Sequence, residues 1–307
     1  MTRKRKLAAA IGLFLLAIGS AAYWAADRYL IEHVQAVVAP AASTQPASTS
    51  SAGSQPVYDD WSYKDDTVSV QIAKKQSGEG ADLITYYVAD VTVADSADLR
   101  TALAKNKFGL NITEDTSAIA SAHDAIFAVN GDYYGFRKDG VIIRGGVLYR
   151  DEPARDALAV MKNGALRTYD EKTSSSTALL ADGATNTFSF GPILVKDGQA
   201  AGDFASVKID TNFGNRTIQG ANPRTGIGMI APNHYVFIVV DGRMKNYSKG
   251  MTLAEFADLF VQYGCTDAYN LDGGGSSTMY FMGRVVNEPS GKGEERGVSD
   301  IIYVGHQ

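Results

Sequence analysis

The chain has 307 residues, enough for one large or two modest domains and too long for a stapled mini-domain. Hydrophobic residues at 45% and charged residues at 21% are ordinary globular composition and exclude a wholly disordered or collagen-like chain. The formal net charge of -5 argues against a nucleic-acid partner, and the lone Cys265 excludes both an intramolecular disulfide and a cysteine-built metal cage.

In chain order, four cations (Arg3, Lys4, Arg5 and Lys6) precede Leu7–Ala26, a run of 20 residues without charge. At the rise of an α-helix that run matches a hydrocarbon core of roughly 30 Å. Cations before it keep the N-terminus in the cytoplasm. Residues 1–38 are therefore expected to be a basic tip and an uncleaved single-pass signal anchor, with the helical pattern continuing through Asp27 to Val38. The membrane is then one partner, and the C-terminal domain is extracytoplasmic. The small residues Ser20-Ala21-Ala22 keep a cleaved signal peptide as the alternative. Residues 39–56, rich in Ala, Ser, Thr and Pro, carry no charge and are expected to be a flexible linker that gives the domain reach. Residues 1–56 hold five Lys/Arg and two Asp/Glu, which leaves 24 against 32, a formal charge of -8, for the domain 57–307.

Within that domain Val68–Ile72 alternates as a half-buried strand does, and Leu83–Val93 is a longer strand rich in Tyr, Val and Thr. Asp98–Ala104 and Asp115–His123 read as short helices. Ala125–Val129 and Tyr235–Val240 are continuous apolar runs, hence buried strands. Val141–Tyr149 reads as strand interrupted at Gly145-Gly146 by a bulge or turn. Thr252-Leu253-Ala254-Glu255 is a capping box opening a helix that Gly264 ends. Ala268–Leu271 and Ile301–Val304 are short strands. The class is α+β or mixed α/β: a single domain with a mixed β-sheet core and interspersed helices.

Three buried strands run into polar, glycine-rich turns: Asn130-Gly131-Asp132, Asp241-Gly242-Arg243, and Asn270-Leu271-Asp272 followed by Gly273-Gly274-Gly275-Ser276-Ser277. Strand ends hold carboxylates rigidly, and glycines let backbone amides approach an anion. Asp-Gly is also a common hairpin turn, which weakens the second segment, whereas three successive glycines carry an entropic cost that asks for a use. Arg144 before Gly145-Gly146, and Arg224 between Pro223 and Thr225-Gly226, offer planar forks for phosphate. Arg137, Arg150, Arg155 and Arg216 read as surface residues. Gly226-Ile227-Gly228-Met229-Ile230-Ala231 fits G-x-G-x-x-A but lacks a βαβ setting. No G-x-S-x-G or HExxH occurs, the four histidines are scattered, and Cys265 reads as core.

The segments AVNGDYYGF, GPILVKDG, NPRTGIGM, VVDGR, GMTLAEFADLF and YNLDGGGSSTM, in this order, resemble the phosphodiester glycosidase family. The resemblance runs from about residue 60 to residue 305. It implies hydrolysis of a sugar-1-phosphodiester of the N-acetylglucosamine type, here in a cell-surface glycan, as in exopolysaccharide-related bacterial members. The matching positions are Asn130, Asp132, Arg144, Arg224, Asp241, Asn270, Asp272, Gly273, Gly274, Ser276 and Ser277. Ser299-Asp300 departs from the Asn-Ala that many members carry there. The mechanism that fits has Asp132 and Asp272 as the carboxylate pair, with Asn130 beside them. Arg144 and Arg224 hold the phosphate, and the amides of Gly273 to Ser276 support charge. Asp241, Asn270, Ser277 and Tyr134 line the substrate, with Tyr133 and Phe136 as a potential aromatic platform. This scheme needs no cofactor. One alternative is a phosphodiesterase using Mg²⁺ or Ca²⁺ on Asp132, Asp241, Asp272 and Asp300. Another is a non-catalytic glycan-binding module.

Overall fold

The computed structural model describes residues 3–38, 55–207, 209 and 218–306, with backbone alone for residues 3–10. Residues 39–54 of the expected linker, and Arg216, lie outside the described residues.

The largest sheet has nine strands, in the spatial order Gln199–Ala200, Ile193–Lys196, Asp267–Asn270, Arg224–Ala231, His234–Val240, Ile84–Val93, Val68–Ser77, Ser62–Lys64 and Val57–Tyr58. A five-stranded sheet runs Arg284–Val285, Met279–Phe281, Ala125–Asn130, Asp300–Gly305 and Arg100–Leu103. Leu166–Asp170, Asp156–Met161 and Ala184–Phe188 form a smaller sheet of three. The expected mixed sheet is corrected: every pairing among the described strands is antiparallel.

His234–Val240 explains how the layers stack. Tyr235, Phe237 and Val239 enter a core shared with Phe127, Val129 and Ile302 of the five-stranded sheet and Leu158 of the three-stranded one. Val236, Ile238 and Val240 face the other way, onto Phe256 and Phe260. A strand buried on both faces loses its polar alternation, which is why this run reads as uniformly apolar. Phe256 and Phe260 belong to the helix Leu253–Gln262, opened by the expected capping box and followed by Gly264 at φ +76°. This helix lies so close to Arg224–Ala231 that a Cβ on Gly226 would sit 2.9 Å from both aromatic rings. The G-x-G-x-x-A match is therefore a packing device.

Two local expectations change, and the Gly145-Gly146 interruption resolves as a turn. Asp98–Ala104 is a 3-10 turn, Ser96–Asp98, followed by the strand Arg100–Leu103, because Arg100–Leu103 pairs along the edge of Asp300–Gly305. The Gly145-Gly146 interruption is a tight turn between Gly140–Arg144 and Val147–Glu152, with φ of +57° and +78°. Two successive left-handed residues suit a hairpin turn, and glycine adopts them without strain. The first helix spans Arg3–Tyr29 and stops short of Val38; His33–Val37 is a strand paired with Lys107–Leu110. Leu13, Phe14, Leu15, Leu16 and Trp24 on that helix are exposed. Among the described residues no helix is long and apolar enough to cross a membrane; the side chains of Leu7–Ala10, which begin the apolar run, are not among them.

Candidate active site

Strand register brings the glycine-rich turns to one rim. Asn130 pairs with Ile301, Asn270 with Gly226, and Arg224 with Val240, so five strands end or begin at the same level. Backbone bonds then lace the turns together: Leu271 N–H to Thr225 C=O at 2.9 Å, Asp272 N–H to Gly131 C=O at 3.2 Å, and Gly274 N–H to Pro223 C=O at 3.0 Å. Asn130 ties the junction. Its Nδ2 donates to Asp272 C=O at 2.7 Å, and its Oδ1 accepts from Thr225 Oγ1 at 2.7 Å and Thr278 N–H at 3.2 Å. Asn130, expected among the catalytic residues, is fully buried, and these bonds hold the turn in place. A separate hollow of about 260 Å³, lined by Ser121, Asp124, Tyr280 and His306 among others, lies at the opposite strand ends and holds none of the expected residues.

Asp272 stands at the mouth of this rim. Its Oδ1 accepts Gly273 N–H at 2.8 Å, and its Oδ2 lies 3.2 Å from Arg296 Nη2. Arg296 also donates from Nε and Nη2 to Ser276 Oγ, at 3.0 and 2.6 Å. The Asp272 side chain is 8% exposed and that of Arg296 is 49% exposed. Burial pushes the Asp272 carboxyl above the ordinary carboxylate range; the Arg296 charge, the Ser276 hydroxyl, the Arg137 charge and the Gly273 amide pull it back without cancelling the rise. The Arg137 guanidinium lies 4.9 Å from the ring centroids of both Tyr133 and Phe190, and Tyr133 stacks on Phe136 at 4.7 Å. Arg243, exposed, donates from Nη2 to Asn222 Oδ1 at 2.9 Å and passes over Gly274, where a Cβ would meet that Nη2 at 3.1 Å. Three guanidinium groups thus belong to the turns around Asp272.

A second acidic group is sealed behind the rim. Asp132 Oδ1 accepts Tyr133 N–H at 2.7 Å, and Oδ2 accepts Ser189 N–H at 2.6 Å. Asp132 N–H donates to Asp300 Oδ1 at 2.7 Å. Arg144 Nη2 lies 2.6 Å from Asp300 Oδ2 and 3.9 Å from Asp132 Oδ2. Burial pushes the Asp300 carboxyl up to about 6, with Arg144 opposing the shift and Asp132 adding to it. Gly131 is required here, since a Cβ would fall 2.4 Å from Asp300 Oδ1.

Several expected substrate contacts have their polar atoms on protein partners. Arg144 is buried between the Tyr134 and Phe188 rings, so it balances internal charge. Arg224 donates to the carbonyls of Met251, Ile218 and Gly220 and is 2% exposed. Its backbone is at the rim, but its guanidinium braces the loop behind; burial and neighbouring Arg243 lower its pKa to about 10. Asp241 accepts from Asn287 Nδ2, Tyr247 Oη and the Glu288 amide, and Asn287 Nδ2 also reaches Ser277 C=O. Tyr134 is buried with its hydroxyl on Ser299 C=O at 2.8 Å, leaving the half-buried Tyr133 as the aromatic face near the mouth. Of the amides expected to support charge, those of Gly273, Gly274 and Ser276 bond to neighbouring protein oxygens. The oxygens Asn270 Oδ1 and Ser277 Oγ are buried without a hydrogen-bond partner, as groups awaiting a ligand or water would be. Arg137 and Arg150 are buried rather than superficial, and Arg155 is half-buried. Arg150 Nη1 donates to the carbonyls of Tyr134, Arg137 and Asp139 and so fixes the turn that carries Arg137.

The fold matches known proteins. The model of a phosphodiester glycosidase domain covers residues 123–305. The chain belongs to the phosphodiester glycosidase family. It is 31% identical over 208 residues to the SPbeta prophage-derived uncharacterized protein YomE of Bacillus subtilis (strain 168), covering 65% of this chain and 31% of that one. It is 26% identical over 177 residues to N-acetylglucosamine-1-phosphodiester alpha-N-acetylglucosaminidase of Bos taurus, covering 56% and 29%. The chain thus spans about a third of the length of these curated relatives. Among solved structures, the catalytic domain of the zebrafish N-acetylglucosamine-1-phosphodiester alpha-N-acetylglucosaminidase, auto-inhibited by pro-peptide, superposes with a TM-score of 0.61 at 18% identity, over 78% of this chain and 84% of that one, a likeness of fold.

For this phosphodiester glycosidase domain, sequence reasoning gave no site role to Arg296, Arg137 or Arg243, the cations around Asp272. Two signals were available: Arg243 directly follows Asp241-Gly242, and Arg296 lies four residues before Asp300. Asp300, considered only as a metal ligand, is the hub of the sealed corner.

Proposed function

We propose that this domain hydrolyses a glycosyl phosphodiester at the anomeric carbon, with Asp272 as the working carboxylate. The observation that carries the reading is the Asp272 corner: one buried acid beneath a half-exposed Arg296, with Arg137 and Arg243 on adjoining turns, in a chain of this family. A sugar phosphate leaves readily, so the site needs charge neutralisation more than strong general-acid help. As the anomeric C–O bond breaks, its electron pair departs with the phosphate, and Arg296 and its neighbours stabilise the resulting monoester. Asp272 acts at the other side of the bond, on water or on the carbon. Asn270 Oδ1 accepts from a sugar hydroxyl, and Ser277 Oγ accepts from or donates to another. The relatives' names suggest N-acetylglucosamine as the sugar. The exposed apolar helix and its cations support a membrane-anchored enzyme acting on a cell-surface glycan or sugar phosphate outside the cytoplasm.

We also propose that no metal takes part. Asp132 and Asp241 have their oxygens engaged by protein donors, and no group of three or more His, Cys, Asp or Glu able to hold an ion occurs among the described residues. The test is hydrolysis of synthetic sugar-1-phosphodiesters in ¹⁸O-water, with and without EDTA. Label in the sugar with unchanged rate is expected. Label in the phosphate, or loss of rate with EDTA, would overturn the reading in favour of a metallophosphodiesterase.

A further inference from the structure

The segment leaving the first helix is bonded to the domain. His33–Val37 pairs antiparallel with Lys107–Leu110, and Val38 N–H donates to Asn106 C=O at 2.9 Å. Asn111 Nδ2 donates to the carbonyls of Asp27 and Ile31, both at 2.9 Å. Lys105 pairs with Glu32. Gly109 permits the approach, because a Cβ there would lie 2.0 Å from His33 C=O.

The docking site of this strap is the back of the active-site turn. Ala36 and Val38 pack on the cluster of Leu103, Phe108, Tyr134 and Ile142. Phe108 stacks on Tyr134 at 5.0 Å. Asn111, whose side chain holds the strap, donates its own backbone N–H to Gly135 C=O at 2.8 Å. Tyr134 and Gly135 lie in the 3-10 turn Tyr134–Phe136, immediately between Tyr133 and Arg137. Strap, strand Lys107–Leu110 and active-site turn are thus consecutive layers.

We propose that Asp27–Val38 is a strap added to the catalytic domain, and that its docking positions the turn carrying Tyr133 and Arg137. Residues 39–56 then join two segments that both lie on the domain, so they do not set its distance from the helix end. The strap is a positioning element; the residues that act on substrate are elsewhere. The docking is independent of the reaction, while the effect on turnover rests on the function proposed above.

The test uses the full chain in detergent, with a protease site placed within residues 39–54. After cleavage the N-terminal fragment is expected to co-elute with the domain. Gly109→Val is expected to release it, and Asn111→Ala, a milder change, to weaken it. Release should speed amide exchange about tenfold both in 107–111 and in 133–137, with kcat/KM falling by a similar factor. A peptide of residues 27–38 added in excess to the cleaved Asn111→Ala domain, whose strand 107–110 still admits the strap, should restore both, and the Gly109→Val domain should not respond. Loss of the fragment from the unmutated chain overturns the docking. Release that leaves exchange in 133–137 unchanged overturns the coupling, as does failure of the peptide to restore protection in an Asn111→Ala domain that keeps its near-ultraviolet dichroism. If no form turns over phosphodiester, the functional reading fails, and exchange with co-elution still decides the strap.

Discussion

Two acidic corners lie back to back at the same rim and differ in what surrounds them. At Asp132 and Asp300, backbone amides and the buried Arg144 take up the carboxylates, and the two aspartate side chains are at most 1% exposed. At Asp272, one oxygen is fixed by its neighbour's amide and the other meets an arginine half in solvent. On the function proposed above, the difference separates scaffold from chemistry. A carboxylate locked on several sides cannot accept a new partner without losing an old one. One whose counter-ion can swing away can exchange it for a substrate phosphate or a water. Sequence alone makes the two aspartates look equivalent, since each follows a buried strand beside glycine.

The contrast breaks most directly at Asp272. Asp272→Asn keeps the shape and the Gly273 contact but removes the charge. Activity on a glycosyl phosphodiester is expected to fall by about 10²–10⁴-fold, with the melting temperature near that of the unmutated protein. A folded, fully active Asp272→Asn protein would move the chemistry to the other corner.

At the sealed corner the expected effect is on stability. Asp300→Ala removes the partner of Arg144 and the acceptor of Asp132 N–H, leaving a buried guanidinium short of charge; about 3–5 kcal/mol of unfolding free energy should be lost in a denaturant titration. The pH dependence follows from the raised pKa. The folded state holds the Asp300 proton more tightly than the unfolded chain, whose group titrates near 3.8. This contribution is therefore complete below about 4 and disappears as pH rises through about 6. Asp300→Asn should flatten that part of the stability profile, and an unchanged profile would mean that Asp300 is not buried as described.

How far the sequence carried the reading depends on the kind of signal. Ala125–Asn130 and His234–Val240 were legible because burial on both faces writes a continuous apolar run. The capping box at Thr252 was legible because its chemistry is local. Arg100–Leu103 was misread because only its long-range pairing with Asp300–Gly305 makes it a strand. The site was legible as a set of turns, since glycine beside acid marks a close backbone approach. The direction of each side chain was not. Arg224 sits in the turn that was expected, yet its guanidinium faces Met251, Ile218 and Gly220 on segments folded behind it. Arg296 was passed over because its partner Asp272 is 24 residues away, with no local pattern to join them.

Arg296 gives the finest test of the contrast. Its charge is the largest influence opposing the burial that raises the Asp272 pKa. Arg296→Gln removes that opposition, so Asp272 should gain its proton at a higher pH than in the unmutated enzyme. If Asp272 works as a carboxylate, activity is lost as pH falls through its pKa, and the acid limb of the kcat/KM profile should shift upward. The same variant loses a cation from the phosphate site, so KM for a charged phosphodiester should rise about tenfold at neutral pH. A raised KM with an unmoved acid limb would make Arg296 a phosphate ligand only and assign that limb to another group. A shifted limb with unchanged KM would leave Arg137 and Arg243 to hold the phosphate while Arg296 tunes the acid beneath it.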